Sequence, residues 1–114
     1  MTRNQARRLG DILERIEAAK DAELILVQAE RSGSGQLFNT AYDAILYDLL
    51  VIGEAVKFLD QGFREAHPEV PWTSITGMRD ILAHEYFRVS ADVVRQTLDQ
   101  PLDRLELACR SGAG

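Results

Sequence analysis

Between Ala44 and Leu59, 12 of 16 residues are apolar, and they recur with the spacing of a helix. Ile45, Leu49, Ile52 and Val56 make one stripe. Leu46 and Leu50 flank it, while Tyr47, Val51 and Phe58 lie on the far side. A helix that is apolar nearly all round has to be covered on several faces. A chain of 114 residues suits one domain over residues 1–114 and supplies few neighbours to do the covering. Part of this surface is therefore expected to meet a second copy of the chain. Gly53, in the middle of the stretch, lets another backbone come close. The helix is expected over residues 40–59, with Thr40 as its cap and Asp43 in its first turn.

The rest of the chain also has helical periodicity. Leu9, Ile12, Leu13 and Ile16 follow the i, i+3, i+4, i+7 pattern, with Asp11 and Arg15 as an i, i+4 pair on the wet side. Residues 22–29 extend that helix or start a second one. The Ser/Gly-rich stretch 31–36 reads as flexible. Gly62 and the segment 67–72, with two prolines, read as helix breaks. The next helix is expected from Thr73 or Ser74 to Phe87. Ser90 then looks like an N-cap with Asp92 in the first turn, and Pro101 suits the first turn of a last helix ending near Arg110. Residues 111–114 read as a loose tail. With no strand-like alternation beyond a few residues, the expected fold is all-α. It is a four- to five-helix up-and-down bundle, dimeric.

Composition narrows the chemistry. Two histidines and one cysteine, Cys109, exclude a disulfide framework and a His/Cys metal cluster. Cys109 reads as a small buried hydrophobe. The formal charge of −5 argues against a broad nucleic-acid surface but leaves room for a local basic cleft. No signal peptide or membrane span is legible, so a soluble, cytoplasmic protein is expected.

One stretch gathers reactive groups. Within residues 78–87 stand Arg79, His84 and Tyr86. Arginine holds a phosphate through parallel hydrogen bonds, histidine moves protons near neutral pH, and tyrosine accepts modification. On an ideal helix Ile75, Met78, Ile81, Leu82 and Val89 gather on the core side. Arg79 and Tyr86, seven apart, share a flank, whereas His84 lies about 140° from Arg79. One helix does not easily aim both Arg79 and His84 at one atom, so two copies facing across a two-fold axis build such a site more readily. Asp80 is placed to meet His84 four residues on. The structural reading is equally open: Arg79 pairs with Glu54, His84 sits on the helix surface with Asp80, and Tyr86 lies at a core edge. Trp72 plugs the core edge, and His67 is a solvent residue without a partner.

Residues 71–87, Pro-Trp-Thr-Ser-Ile-Thr-Gly-Met-Arg-Asp-Ile-Leu-Ala-His-Glu-Tyr-Phe, resemble the signature of the HepT-like proteins of the HEPN superfamily. Ile52-Gly53-Glu54-Ala55 is similar to a second signature of that family, and residues 11–16 are similar to its first helix. The segment 21–38 matches less well. The resemblance implies an all-α homodimer with the Arg/His cleft at the subunit interface. It implies a metal-independent endoribonuclease, cofactor-free, acting as the toxin of a type VII-like toxin–antitoxin pair. The partner implied is an MNT-type nucleotidyltransferase antitoxin that transfers AMP from ATP to Tyr86. Arg79 and His84 match the family's catalytic positions, with Asp80 and Glu54 in support. The alternative is a non-catalytic dimer that serves as docking partner and AMP acceptor of the nucleotidyltransferase.

Overall fold

The computed structural model describes residues 3–113. Every regular element among them is helical: α1 (Arg3–Ser32), α2 (Gly35–Lys57), α3 (Gln61–Ala66), α4 (Trp72–His84), a 3-10 turn (Tyr86–Arg88), α5 (Ala91–Leu98) and α6 (Gln100–Ala113). The all-α expectation holds. Among the described residues five helices of eight residues or more make the framework, within the expected four or five, and α3, of 6 residues, is a short addition between α2 and α4. No helix among the described residues is long and apolar enough to cross a membrane.

Helix α1 sets the shape. Its 30 residues make a rod of about 45 Å at the usual rise per residue. The longest dimension of the molecule is 46 Å. Leu9, Ile12 and Ile16 are fully buried on it, as the periodicity predicts. The stretch 31–36, expected to be flexible, is instead a tight turn with only Gly33 and Ser34 outside helices. Gly33 takes φ +75°, which a glycine adopts without steric cost. The Ser34 amide donates back to the Ala29 carbonyl at 3.0 Å, the bond that closes a Schellman motif. Ser34 Oγ in turn accepts from the Leu37 amide and caps α2. The cap is thus Ser34, not Thr40, whose hydroxyl donates to the Gln36 carbonyl inside the helix. The helix therefore starts five residues before the expected position 40, and it ends at Lys57.

Helices α1 and α2 form an antiparallel hairpin. Arg8 reaches the Phe58 carbonyl at 2.9 Å, and Arg15 Nη1 meets Asp48 Oδ1 at 3.0 Å. The expected Asp11–Arg15 pairing is replaced by this longer-range one. The Ile45, Leu49, Ile52 and Val56 stripe is buried between the helices, and α2 also packs on α4. On the other side of α1, α6 runs antiparallel: Lys20 pairs with Asp103 and Glu106. Ser90 caps α5 as expected, accepting from the Val93 amide. Of the expected loose tail, residues 111–113 are helical, and Gly114 lies outside the described residues. Helix α6 continues to Ala113, and the Phe63 ring lies over Gly112. Gly62 does not break the chain either, since it lies inside α3. Trp72 does seal an edge. Its indole N–H donates to the Arg64 and His67 carbonyls at the end of α3, each of which also accepts a backbone amide, from His67 and Val70 respectively. His67, expected to stand without a partner, packs on Phe63 and places Nδ1 3.1 Å from Glu69 Oε1. Cys109 is fully buried, and burial, with Glu106 adding to it, pushes its thiol up to about 12.

Asp48 is the carboxylate that the sequence reading overlooked. It is 4% exposed. Burial is the largest influence on it and raises its carboxyl above the ordinary value, while Arg15 opposes the rise. In the unfolded chain the carboxyl returns to that ordinary value. Between the two values the folded protein holds more protons, so this group's contribution to stability falls as pH rises through the window. Wild type is therefore expected to gain stability relative to Asp48→Asn as the pH is lowered from neutral to about 4. Urea denaturation of both proteins across that range measures the difference. A constant difference would mean that Asp48 is as solvated as an ordinary surface carboxylate.

Candidate functional site

The site is built where α4 crosses α2. Gly53 faces Arg79 at the crossing. A Cβ at position 53 would fall inside the contact envelope of Arg79 Cβ and 3.3 Å from the Ile75 carbonyl. The close approach foreseen for Gly53 is thus to α4 of the same chain. Ile75, Met78 and Leu82 anchor α4 in the core, while Ile81, expected on that core side, is partly exposed. The Arg79 side chain lies along α2, 19% exposed.

Its guanidinium is held from two sides. Nε donates to Glu54 Oε2 at 2.6 Å, and Nη1 donates to Asp80 Oδ1 at 3.0 Å. The expected Glu54 pairing is therefore present. Asp80 does not turn to His84 as expected. Its Oδ1 accepts from Arg79 and from Lys57 Nζ at 3.3 Å. The hydrogen bonds that Arg79 donates to Asp80, then to Glu54, raise it above its already high ordinary value. Arg79, then Lys57, hold Asp80 below the ordinary carboxylate value. The guanidinium is fixed in direction and permanently charged. Of its five N–H groups, two are engaged by these carboxylates. The others remain to grip an anion. Lys57 had no signal in the sequence, because only the α2–α4 crossing brings it beside Asp80.

Helix α4 stops at His84, three residues before the expected end at Phe87. Glu85 leaves the helical region at φ −140°, and Tyr86–Arg88 form the 3-10 turn. This corrects the placement of Tyr86. An i, i+7 relation to Arg79 needs an unbroken helix, so the two residues do not share a helix flank. His84 is exposed and makes no side-chain hydrogen bond among the described residues. Tyr86 is 47% exposed and has its ring edge-on to Phe87. It stands near Tyr42 of α2, whose hydroxyl is raised above its ordinary value by burial first, then by Tyr86 and Asp43. One chain thus brings Arg79, Glu54, Asp80 and Lys57 together. It leaves His84 and Tyr86 outside that network.

Among the described residues no group of three or more His, Cys, Asp or Glu side chains is gathered to hold a metal ion. The chemistry on offer is a fixed cation, an accessible imidazole and an accessible phenol.

Fold and motif define a small all-helical protein that carries this trio on α4 and the turn that follows it. The family model described as Ribonuclease HepT-like matches residues 12–111, and the chain belongs to that family. A candidate RNase of Caldanaerobacter subterraneus subsp. tengcongensis is 48% identical over 63 residues, which cover 55% of this chain and 56% of that protein. A candidate HepT ribonuclease of Thermococcus cleftensis is 38% identical over 63 residues, 55% of this chain and 57% of the other. A candidate RNase of Methanocaldococcus jannaschii is 44% identical over 46 residues, 40% and 42% of the two chains. The chain spans about half the length of the curated relatives it matches. No solved structure matches it.

Proposed function

We propose that this protein is a metal-independent RNA endonuclease that works as a homodimer, the toxin of a toxin–antitoxin pair. The observation that carries the reading is the Arg79 guanidinium. It is pinned by Glu54 and Asp80 with donors to spare, in a chain of the HepT-like ribonuclease family. RNA supplies its own nucleophile. The 2′-OH attacks the adjacent phosphorus, the 5′-oxygen leaves, and a cyclic phosphate and a 5′-OH result. Arg79 grips the phosphate and stabilises the charge that builds on it. His84 moves the proton as base or acid. No metal is needed for these steps.

The dimer supplies what one chain lacks. Within one chain His84 is not joined to the Arg79 network, and Arg79 and His84 diverge by about 140° on α4. A second α4 facing the first brings one copy's His84 to the other copy's Arg79. Tyr47 on α2 and Ile81 on α4 stay exposed, which supports a covering copy.

Tyr86 is the acceptor through which the activity is switched off. An MNT-type nucleotidyltransferase partner transfers AMP from ATP to its hydroxyl, and pyrophosphate leaves. The accessible position of Tyr86 on the turn after α4 supports this role. The new phosphate is negative and competes with RNA for Arg79, and the nucleoside blocks the cleft.

The purified protein is expected to cleave RNA and to leave 5′-OH ends. Co-expressed with the nucleotidyltransferase, its intact mass rises by whole AMP units and cleavage stops. Tyr86→Phe abolishes the mass increase. Modification of the Phe variant to the same extent would assign the acceptor to another residue. Modification without any RNA cleavage by the unmodified protein would leave a non-catalytic acceptor dimer in place of the nuclease.

A further inference from the structure

A knob and a hole on the single chain fit each other. The knob is Phe87, which is 99% exposed in one chain taken alone. Hydrogen bonds fix the turn that carries it. The Glu85 amide donates to the Ile81 carbonyl at 2.7 Å, and the Arg88 amide donates to the Glu85 carbonyl at 2.8 Å. The hole is an open cleft of about 360 Å³ between α4 and α5. Gly77, Met78 and Ile81 of α4, Val93 and Thr97 of α5, and Pro101 of α6 line it. An apolar cavity of about 150 Å³ is enough to take benzene. Met78 and Thr97 are buried, whereas Ile81 and Val93 keep exposed apolar surface. Gly77 keeps the cleft open. A glycine inside a helix is destabilising relative to alanine. Gly53 has a reason within the chain, the Arg79 side chain at the crossing, but a Cβ at Gly77 would meet nothing within 4 Å. Its missing side chain leaves room for a group from outside.

Register decides which group that is. The pairing proposed above sets His84 of one copy opposite Arg79 of the other. Across a two-fold axis the two α4 helices run antiparallel, so a step forward on one is a step back on the other. Phe87, three residues past His84, then stands opposite Thr76, three residues before Arg79. Gly77 is the next residue. The flanks agree as well. Gly77 and His84, seven apart on one unbroken helix, point within about 20° of each other. The two-fold axis brings like flanks together, so the His84 side of one copy borders the Gly77 side of the other.

We propose that Phe87 of each copy inserts into the α4–α5 cleft of the other. This exchange sets the register in which His84 of one copy meets Arg79 of the other, so the composite site is incomplete without it. The proposal rests on the dimeric reading above and names the contact that builds its site. A few aromatic anchors seated in pockets dominate a protein interface, and charged groups stay at its rim. The Glu85–Arg88 ion pair beside Phe87 suits such a rim.

The test is a disulfide formed only between different variants. Phe87→Cys and Gly77→Cys are each oxidised alone and then as a mixture. Cys109 is fully buried and does not compete. In the proposed register like positions lie more than about 13 Å apart along the helices. A disulfide spans Cα atoms no more than about 7 Å apart. Each variant alone should therefore stay free of cross-links, and the mixture should give a linked dimer, which retains one intact Phe87 in one intact cleft. Phe87→Ala is expected to raise the dissociation constant of the dimer by about 30-fold or more, the loss of an interface anchor, with helix content unchanged. Gly77→Leu fills the cleft and should weaken the dimer in the same way. A dimeric protein that gives no cross-link in the mixture overturns the exchange while leaving the nuclease reading in place. So does a Phe87→Ala that dimerises like wild type but loses single-stranded RNA, which would turn the ring toward RNA. A wild type that is monomeric at micromolar concentration removes the composite site and the exchange together. A cross-linked dimer from a wild type that does not cleave RNA upholds the exchange and removes only the nuclease reading.

Discussion

Arg79→Ala and His84→Ala are each expected to lower RNA cleavage by about 10²–10⁴-fold, the usual loss when a general acid–base or a charge-stabilising group is removed. The fold should survive both changes. His84 is exposed and bonds to nothing among the described residues, so its loss leaves no buried group unsatisfied. Arg79 leaves behind Glu54 and Asp80, which are about half exposed and return to water. Circular dichroism should show unchanged helix content in both variants. Mixing the two inactive proteins distinguishes a composite site from a single-chain one. A mixed dimer has one site in which the intact Arg79 of one copy meets the intact His84 of the other, so part of the activity returns. A site complete within one chain returns none. Cleavage should also persist in EDTA, since the proposed steps use only Arg79, His84 and the 2′-OH. Wild-type rates in His84→Ala, or strict dependence on a divalent ion, would refute the mechanism.

Gly53→Ala is expected to destabilise the protein by about 1–3 kcal/mol and to lower activity with it. The added methyl meets the root of the Arg79 side chain and the Ile75 carbonyl, not the end of a flexible side chain. Neither atom can move without shifting α4. A shift at this crossing changes the direction of Arg79, which Glu54 and Asp80 otherwise hold. Gly10→Ala is the control. It lies within α1 with nothing near its added methyl, and replacing a mid-helix glycine there should stabilise by up to about 1 kcal/mol. Thermal unfolding of the two variants should therefore move in opposite directions. If Gly53→Ala unfolds like wild type and cleaves RNA at the wild-type rate, the crossing does not set the position of Arg79.

Much of the fold was legible in the chain because helical periodicity is a local signal. The stripe from Ile45 to Val56 announced a buried helix, and Leu9, Ile12 and Ile16 announced another. Ser90 and Pro101 marked two helix starts through their backbone chemistry alone. The Glu54–Arg79 pair was also anticipated, since few partners for a buried arginine exist in so apolar a helix. Family membership came from residues in order, which the match over 12–111 bears out.

Tertiary structure decided what local pattern cannot express. The turn at Gly33 replaced a flexible stretch because one glycine with positive φ and one serine cap close two helices in two residues. Helix α4 ended at His84 although the sequence from Thr73 to Phe87 contains no proline or glycine after Gly77 to stop it. That ending separated Tyr86 from the Arg79 flank and exposed Phe87. Asp80 turned to Arg79 and Lys57, not to His84, because the crossing of α2 brings a second cation to it. Arg15 likewise left Asp11 for Asp48 across the hairpin. A side chain's i, i+4 neighbour is fixed by helix geometry, whereas its partner is fixed by which charge the packed core holds nearest, and only the assembled helices set that distance.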